Sequence, residues 1–300
     1  MQPQLCGFYF LNVDNLAVIF DKIFLMKLCC IIFVMFFCSS LFSQYYYNDI
    51  VSNSQSNKQY QLFKSNKIKS VKVTSYDAQN KSMKDFSLTQ DFSSDFTKSV
   101  TSSTVDSSAA STLTTFYDNN KVIGTSNFTK GIETKTDYSY DEKGRLLSIV
   151  SATTDTAFNN NATEQHIWFY NQQNHIDYML KIKNVNDTTR IEFINDQHGN
   201  VIEEHWKKKN KSIETYYYYY NENSLLTDIV RFNKRVQKLL PDFLFEYDDL
   251  GRVIQMKQVP AGSSNYFIWK YVYNDKGLKQ EETCLDKQKE PLGKMVYRYQ

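Results

Sequence analysis

The chain has 300 residues, 15% of them aromatic, with 22 Tyr and 21 Phe but only 9 Gly and 4 Pro. So little glycine and proline excludes collagen-like and Gly/Pro-rich disordered classes. The net charge of +2 gives no electrostatic sign of a nucleic-acid binder, and the length is ample for one large or two ordinary domains.

The first 43 residues read as an address. Met26-Lys27 is a short basic start, Leu28 to Phe37 is an unbroken apolar run, and Ser39 to Ser43 is rich in small residues. That order is the order of a secretory signal, with a cut expected after Ser43 and Gln44 as the first mature residue. Residues 1–25 fit no part of such a signal, so Met26 is the expected true start. If uncleaved, Ile23 to Phe42 is 20 residues with one charge, long enough to span a membrane. Four of the five cysteines lie in the first 43 residues. Their removal leaves Cys284 alone, so the mature chain must hold together by burial and hydrogen bonding rather than disulfides.

Residues 44–115 form the next expected region. Between 87 and 115, 16 of 29 residues are Ser or Thr, yet Phe86, Leu88, Phe92, Phe96 and Leu113 call for burial. Phe63 to Ile68 looks like a short turn between strands, so the region is expected to be degenerate β-repeats.

From 116 to 300 the chain is periodic. Tyr140-Asp-Glu-Lys-Gly-Arg-Leu146, Tyr247-Asp-Asp-Leu-Gly-Arg-Val253 and Tyr273-Asn-Asp-Lys-Gly-Leu278 align. Weaker copies begin at Tyr117, Tyr170, Asn195, Tyr220 and Tyr299, and the mean step from Tyr117 to Tyr299 is 26 residues. Asp or Asn followed three residues later by Gly suits a type I turn closed by a glycine bulge, in which the fifth position needs φ > 0. Gly144, Asn174, Gly199, Gly251 and Gly277 hold that position, and Ser224 departs from it. Two residues before each turn tyrosine stand Tyr138, Trp168, Phe193, Tyr218, Phe245, Tyr271 and Tyr297, one aromatic column on one strand face. The opposite face mixes Ile167, Ile194 and Tyr219 with Asp137, Glu192, Glu246 and Lys270. The expected fold is all-β: a repetitive antiparallel meander of about 16 strands in a twisted or curled single sheet, with about 26 residues per two-strand repeat.

The Tyr-Asp-x-x-Gly-Arg-Leu unit resembles the YD repeat of RHS-repeat proteins across about 117–300, complete in Tyr140–Leu146 and Tyr247–Val253. The chain is also similar to small exported YD-like proteins of Bacteroidota. The resemblance implies a spiralling β-sheet and carbohydrate binding. The family's shell often surrounds a C-terminal toxin. Here the period is longer, the copies are too few to enclose cargo and no toxin domain is recognisable, so the sheet is what carries over.

Residues for chemistry are sparse. There is no His-Glu-x-x-His, nucleophile elbow or phosphate-cradling loop. His166 shares the inward column with Trp168 and reads as a core or rim residue. Glu203 and His205 share one strand face. In the run Tyr216 to Tyr220, Tyr217 and Tyr219 leave the aromatic column and are the candidate ligand contacts, since exposed tyrosines stack on sugars. Lys207 to Lys211 reads as a solvated hairpin. No catalytic, cofactor or metal site is expected. The sequence points to an exported non-enzymatic binding or envelope-structural protein with a glycan or protein ligand. A glycan-active enzyme on a β-scaffold and an accessory partner of a secreted toxin system are the alternatives.

Overall fold

Alternating apolar and polar residues between turn signals build strands, and nearly the whole chain from Ser70 onward follows that rule. The computed structural model describes residues 44–300 apart from 106–109, 156, 158, 159, 234, 235, 261 and 262. The export signal, its cut after Ser43 and the expected start at Met26 lie outside the described residues. Eighteen strands run in chain order: β1 (Ser70–Asp77), β2 (Phe86–Phe92), β3 (Lys98–Val105), β4 (Ser111–Asp118), β5 (Lys121–Thr129), β6 (Ile132–Tyr140), β7 (Leu146–Asp155), β8 (Asn160–Tyr170), β9 (Ile176–Lys183), β10 (Asp187–Asn195), β11 (Val201–Lys208), β12 (Lys211–Tyr220), β13 (Leu226–Asn233), β14 (Lys238–Tyr247), β15 (Val253–Gln258), β16 (Phe267–Tyr273), β17 (Lys279–Leu285) and β18 (Pro291–Tyr299).

Each strand pairs antiparallel with the next, and β1 also pairs with β18, from Val71 opposite Tyr299 to Asp77 opposite Gly293. This corrects the expected open or curled sheet of about 16 strands: there are 18, and they close into a barrel. Closure removes both free edges, whose unpaired backbone groups would otherwise recruit other strands. The strand that closes the ring comes from the region read as degenerate, so 44–115 and 116–300 share one sheet. The seam is tight at Gly293, where an added Cβ would stand 2.9 Å from the Tyr76 carbonyl oxygen. Gly293→Ala should therefore destabilise the barrel by roughly 1–3 kcal/mol, read as a lowered midpoint in thermal denaturation.

The turns at one end of the barrel explain the repeat. In the first full copy, Gly144 N donates to Asp141 O at 2.8 Å and Arg145 N donates to Asp141 Oδ1 at 2.8 Å. The pattern recurs from Asn171, Asp196, Asn221, Asp248 and Asn274. The closing position has φ of 80° at Gly144, 68° at Asn174, 85° at Gly199, 72° at Gly251 and 74° at Gly277, and Ser224 adopts 57° in the same place. A β-bulge sits at each turn tyrosine. Its hydroxyl then reaches a carbonyl at the start of an earlier strand: Tyr140 to Val122 O at 2.7 Å, Tyr170 to Leu146 O at 2.8 Å, Tyr220 to Val201 O at 2.8 Å, Tyr247 to Leu226 O at 2.6 Å and Tyr273 to Val253 O at 2.8 Å. Asn195 does the same with its side-chain amide, to Ile176 O at 2.7 Å. The turn tyrosine thus ties each repeat to its predecessor. The motif's arginine adds a second tie, because Arg145 and Arg252 pair with Asp141 and Asp248 and lie 4.2 and 4.8 Å from the ring centres of Tyr170 and Tyr273.

Residues 44–65 are not β-repeats, which corrects the reading of that region. A π-helical turn, Tyr46–Val51, runs directly into α1 (Ser52–Ser65). Asn53, Asn57, Tyr60 and Phe63 recur at helical spacing, and they face the barrel. Asn57 Oδ1 accepts from Val122 N at 2.8 Å, Tyr60 Oη donates to Phe96 O at 2.7 Å, and the Tyr60 ring stacks on Tyr117 at 3.9 Å. Helix α1 therefore lies over the turn-end mouth on the β2–β6 side, and its other face is exposed. The π-helical turn sits deeper, inside the lumen, where Tyr47 packs on Phe243 and Phe245 of β14.

The barrel's inner and outer faces differ sharply. Trp168, Phe193, Tyr218, Phe245 and Tyr297 of the aromatic column are buried, together with Met179, Ile191 and Ile229, which are fully enclosed. Tyr138 and Tyr271 point the same way by register, Tyr138 opposite Ile149 and Tyr271 opposite Glu282. The outer face carries ion pairs along the strands, including Glu192 with Lys207 at 2.5 Å and Glu281 with Lys294 at 3.5 Å. A lipid-facing barrel wall needs an apolar outer band, and these charges interrupt one.

Candidate functional site: the barrel lumen

The interior is two surfaces in one wall. From β8 round to β2 it is largely aromatic and aliphatic. On β3 to β7 it is hydroxylated. Strand register brings Ser99, Thr115, Thr125, Thr136 and Ser151 side by side in one inward row, continued by Glu164 and Lys183. A second row runs Thr101, Leu113, Asn127, Thr134 and Thr153. The Ser/Thr-rich strands β3 and β4 thus contribute to the lumen wall, with Ser99, Thr101, Ser103, Ser111 and Thr115 on the inward positions. Neighbours bond laterally, Thr134 with Thr153 at 3.0 Å and Thr136 with Ser151 at 2.9 Å. These four are half-buried, whereas Ser99 and Thr115 are buried. Water therefore reaches the rows on β6 and β7.

An ionic cluster borders the hydroxyl rows. His166 Nδ1 lies 2.6 Å from Asp49 Oδ2, and Nε2 lies 2.9 Å from Glu164 Oε1. Lys181 Nζ pairs with Glu164 at 2.8 Å and donates to Tyr45 Oη at 2.5 Å. Burial opposes a charged imidazole, but the Asp49 and Glu164 carboxylates outweigh it and raise His166 to about 9. Burial likewise opposes a charged Glu164, yet His166 and Lys181 hold its carboxyl well below the usual range.

Elsewhere in the lumen, Glu204 of β11 is fully enclosed. It accepts four hydrogen bonds, from Tyr45 N at 2.9 Å, Tyr46 N at 3.1 Å, Trp206 Nε1 at 2.7 Å and Tyr218 Oη at 2.5 Å. Each oxygen takes two donors, so the geometry is that of a carboxylate at a helix start. Burial nevertheless pushes its carboxyl up to about 7, against those donors. Gln44 Nε2 donates to Asp242 Oδ2 at 2.6 Å, and Asp242 also pairs with Arg231 at 3.0 Å. Burial raises Asp242 to about 6 in spite of both partners.

The sequence-derived candidates lie elsewhere. Tyr216 and Tyr218 point inward and are buried, while Tyr219, 48% exposed, faces out and Tyr217 is half-buried beside it. By register the outward neighbours of Tyr217 are Glu203 and Val230. Glu203 bonds His205 at 2.6 Å on this outer wall. The turn residues Gly144, Asn174, Gly199, Gly251 and Gly277 stand on the rim, where a shallow pocket of about 450 Å³ opens between the Asn221 and Asp248 turns, lined by Asn223, Leu225, Tyr247 and Asp249. Cys284 is buried. Among the described residues no group of three His, Cys, Asp or Glu is placed to hold a metal, and no helix is long and apolar enough to cross a membrane. Glu204 and the His166 cluster gave little local signal, because apart from Trp206 and Glu164, each two residues along the same strand, their partners are 14 to 159 residues away.

No family model matches the chain, and no curated protein matches it. Solved structures give a likeness of fold. A porin-like protein from Bacteroides uniformis is 11% identical, with a TM-score of 0.41, over 78% of this chain and 96% of that one. The Photorhabdus luminescens Tc holotoxin pore is 12% identical, with a TM-score of 0.33, over 72% of this chain and 12% of that one. TcdB2-TccC3 without its hypervariable C-terminal region is 10% identical, with a TM-score of 0.32, over 72% of this chain and 12% of that one.

Proposed function

We propose that the protein is an exported, non-enzymatic binding barrel that works in water and takes a polyhydroxylated ligand, a glycan, at the lumenal wall of β6 and β7. The supporting observation is the pair of hydroxyl rows, half-buried on β6 and β7, one of which continues to Glu164 and Lys183. Adjacent hydroxyls offer both donors and acceptors, and such a wall beside fixed charges and aromatic rings suits a sugar's mixed surface. The outer-wall ion pairs support a barrel bathed in water. His166, Asp49 and Glu164 satisfy one another, which favours a structural over a catalytic role for that cluster.

A glycan array probed with the exported protein tests this. Retention on one glycan class is expected, falling at least about tenfold, ~1.4 kcal/mol, in the paired variant Thr134→Val with Thr153→Val. Tyr217→Ala with Tyr219→Ala should leave it unchanged. Loss in the tyrosine variant alone would move the site to the outer wall, and a blank array would remove glycan as the ligand.

A further inference from the structure

We propose that Gln44 is held in the lumen as a free amino terminus, its α-ammonium seated beside Glu204 and Asp242, so that leader removal supplies a charge the folded barrel needs. The proposal rests on the export reading, because cleavage after Ser43 is what creates that group.

Three observations converge. First, Glu204 is enclosed, and its four partners are two backbone amides, an indole and a phenol. None is a cation, and a buried carboxylate without a counter-charge is costly. Second, Tyr45 N bonds Glu204 Oε1 at 2.9 Å, and the Gln44 nitrogen is the next one along the chain, within about one 3.8 Å residue step. A positive charge there falls beside the carboxylate. Third, Gln44 is only 2% exposed, its Nε2 is spent on Asp242, and its Oε1 is buried with no hydrogen-bond partner. A peptide nitrogen at residue 44 offers one hydrogen, whereas an α-ammonium offers three. The extra donors and the charge are what the orphaned Oε1 and the uncompensated Glu204 lack. A terminus this enclosed is out of reach of a peptidase in the folded barrel, so the cut precedes folding, as it does when a chain is exported unfolded.

The test uses the exported protein, first with its amino terminus defined by mass spectrometry. A second form carries Gly-Ser ahead of Gln44, which moves the charge away. Both are made with Glu204 and with Glu204→Gln. The extension should raise the unfolding constant at least about tenfold with Glu204 and have little effect with Glu204→Gln, the sign of direct coupling. In addition, the Gln44 amine of the native protein should resist amine-reactive labelling until denaturation, a measurement that stands even if Glu204→Gln fails to fold. A mature start other than Gln44 overturns the expected cut and the seat together. A start at Gln44 with a harmless extension, an equal cost in both backgrounds, full labelling of the native amine, or an uncharged pyroglutamyl terminus overturns the seat while leaving export standing.

Discussion

Glu204→Ala should lower stability by roughly 4 kcal/mol, because it orphans four donors, two buried and two partly buried, at about 1–3 kcal/mol for each buried one, while relieving one buried charge. That is a large part of the roughly 5–15 kcal/mol by which a folded protein exceeds its unfolded state. Far-ultraviolet circular dichroism during urea denaturation measures it. Near-ultraviolet dichroism should report the same loss, since Tyr45, Trp206 and Tyr218 all meet at this carboxylate. Glu203→Ala is the matched control. It is the adjacent residue on the same strand, but it faces outward and bonds His205 on the wet wall, so its effect should stay within about 0.5 kcal/mol.

Stability should fall as pH rises through about 9, and His166 should account for most of the fall. Its folded-state value is raised to about 9 from an ordinary 6.5. A raised histidine stabilises fully below its unfolded value, and the contribution disappears as the folded form loses its proton. The size is on the order of 3 kcal/mol at one pKa unit per 1.36 kcal/mol. Glu204 and Asp242, raised to about 7 and about 6, act in the same direction at lower pH, since their protonated forms are the favoured ones. Glu164 has the opposite sign: its lowered carboxyl stabilises above its ordinary range, and that contribution is lost as the solution becomes strongly acidic. The greatest stability should therefore lie in mildly acidic solution. Denaturation midpoints against pH, for wild type and His166→Gln, check this. The variant should be weaker at pH 6 and lose much of the alkaline slope, while an unchanged slope would assign it to other groups.

The two results would separate two layers of the interior. Glu204 holds the start of the lumenal segment, and the His166 cluster holds its middle through Asp49. Helix α1 is fixed separately, by Asn57 on Val122 and by Tyr60 on Phe96 and Tyr117. A variant that frees the lower segment need not displace the helix over the mouth.

The sequence by itself determined what depends on neighbours in the chain. An Asp or Asn three residues before Gly dictates a turn, because the side-chain oxygen and the positive φ act within five residues. Alternation dictates which side chains share a face, so Tyr138 and Trp168 fall on one side and Glu192 and Lys270 on the other. Tyr216 to Tyr220 divides between the faces for the same reason. Even helix α1 left a mark, in the spacing of Asn53, Asn57, Tyr60 and Phe63, but a polar helix of 14 residues beside a strong β-repeat reads easily as more of the same. Tertiary structure decided what depends on distant partners. Whether β1 meets β18 is set by the accumulated twist and stagger of all the strands between them, and no single turn encodes it. The turn tyrosine's bond to an earlier strand and the hydroxyl rows of β3 to β7 exist only once neighbouring strands have paired, and two of the four donors on Glu204 arrive only when the segment at Tyr45 and Tyr46 enters the lumen. A buried carboxylate is tolerated only where its donors already converge, so its place in the molecule is a property of the closed barrel and not of the residues beside it in the chain.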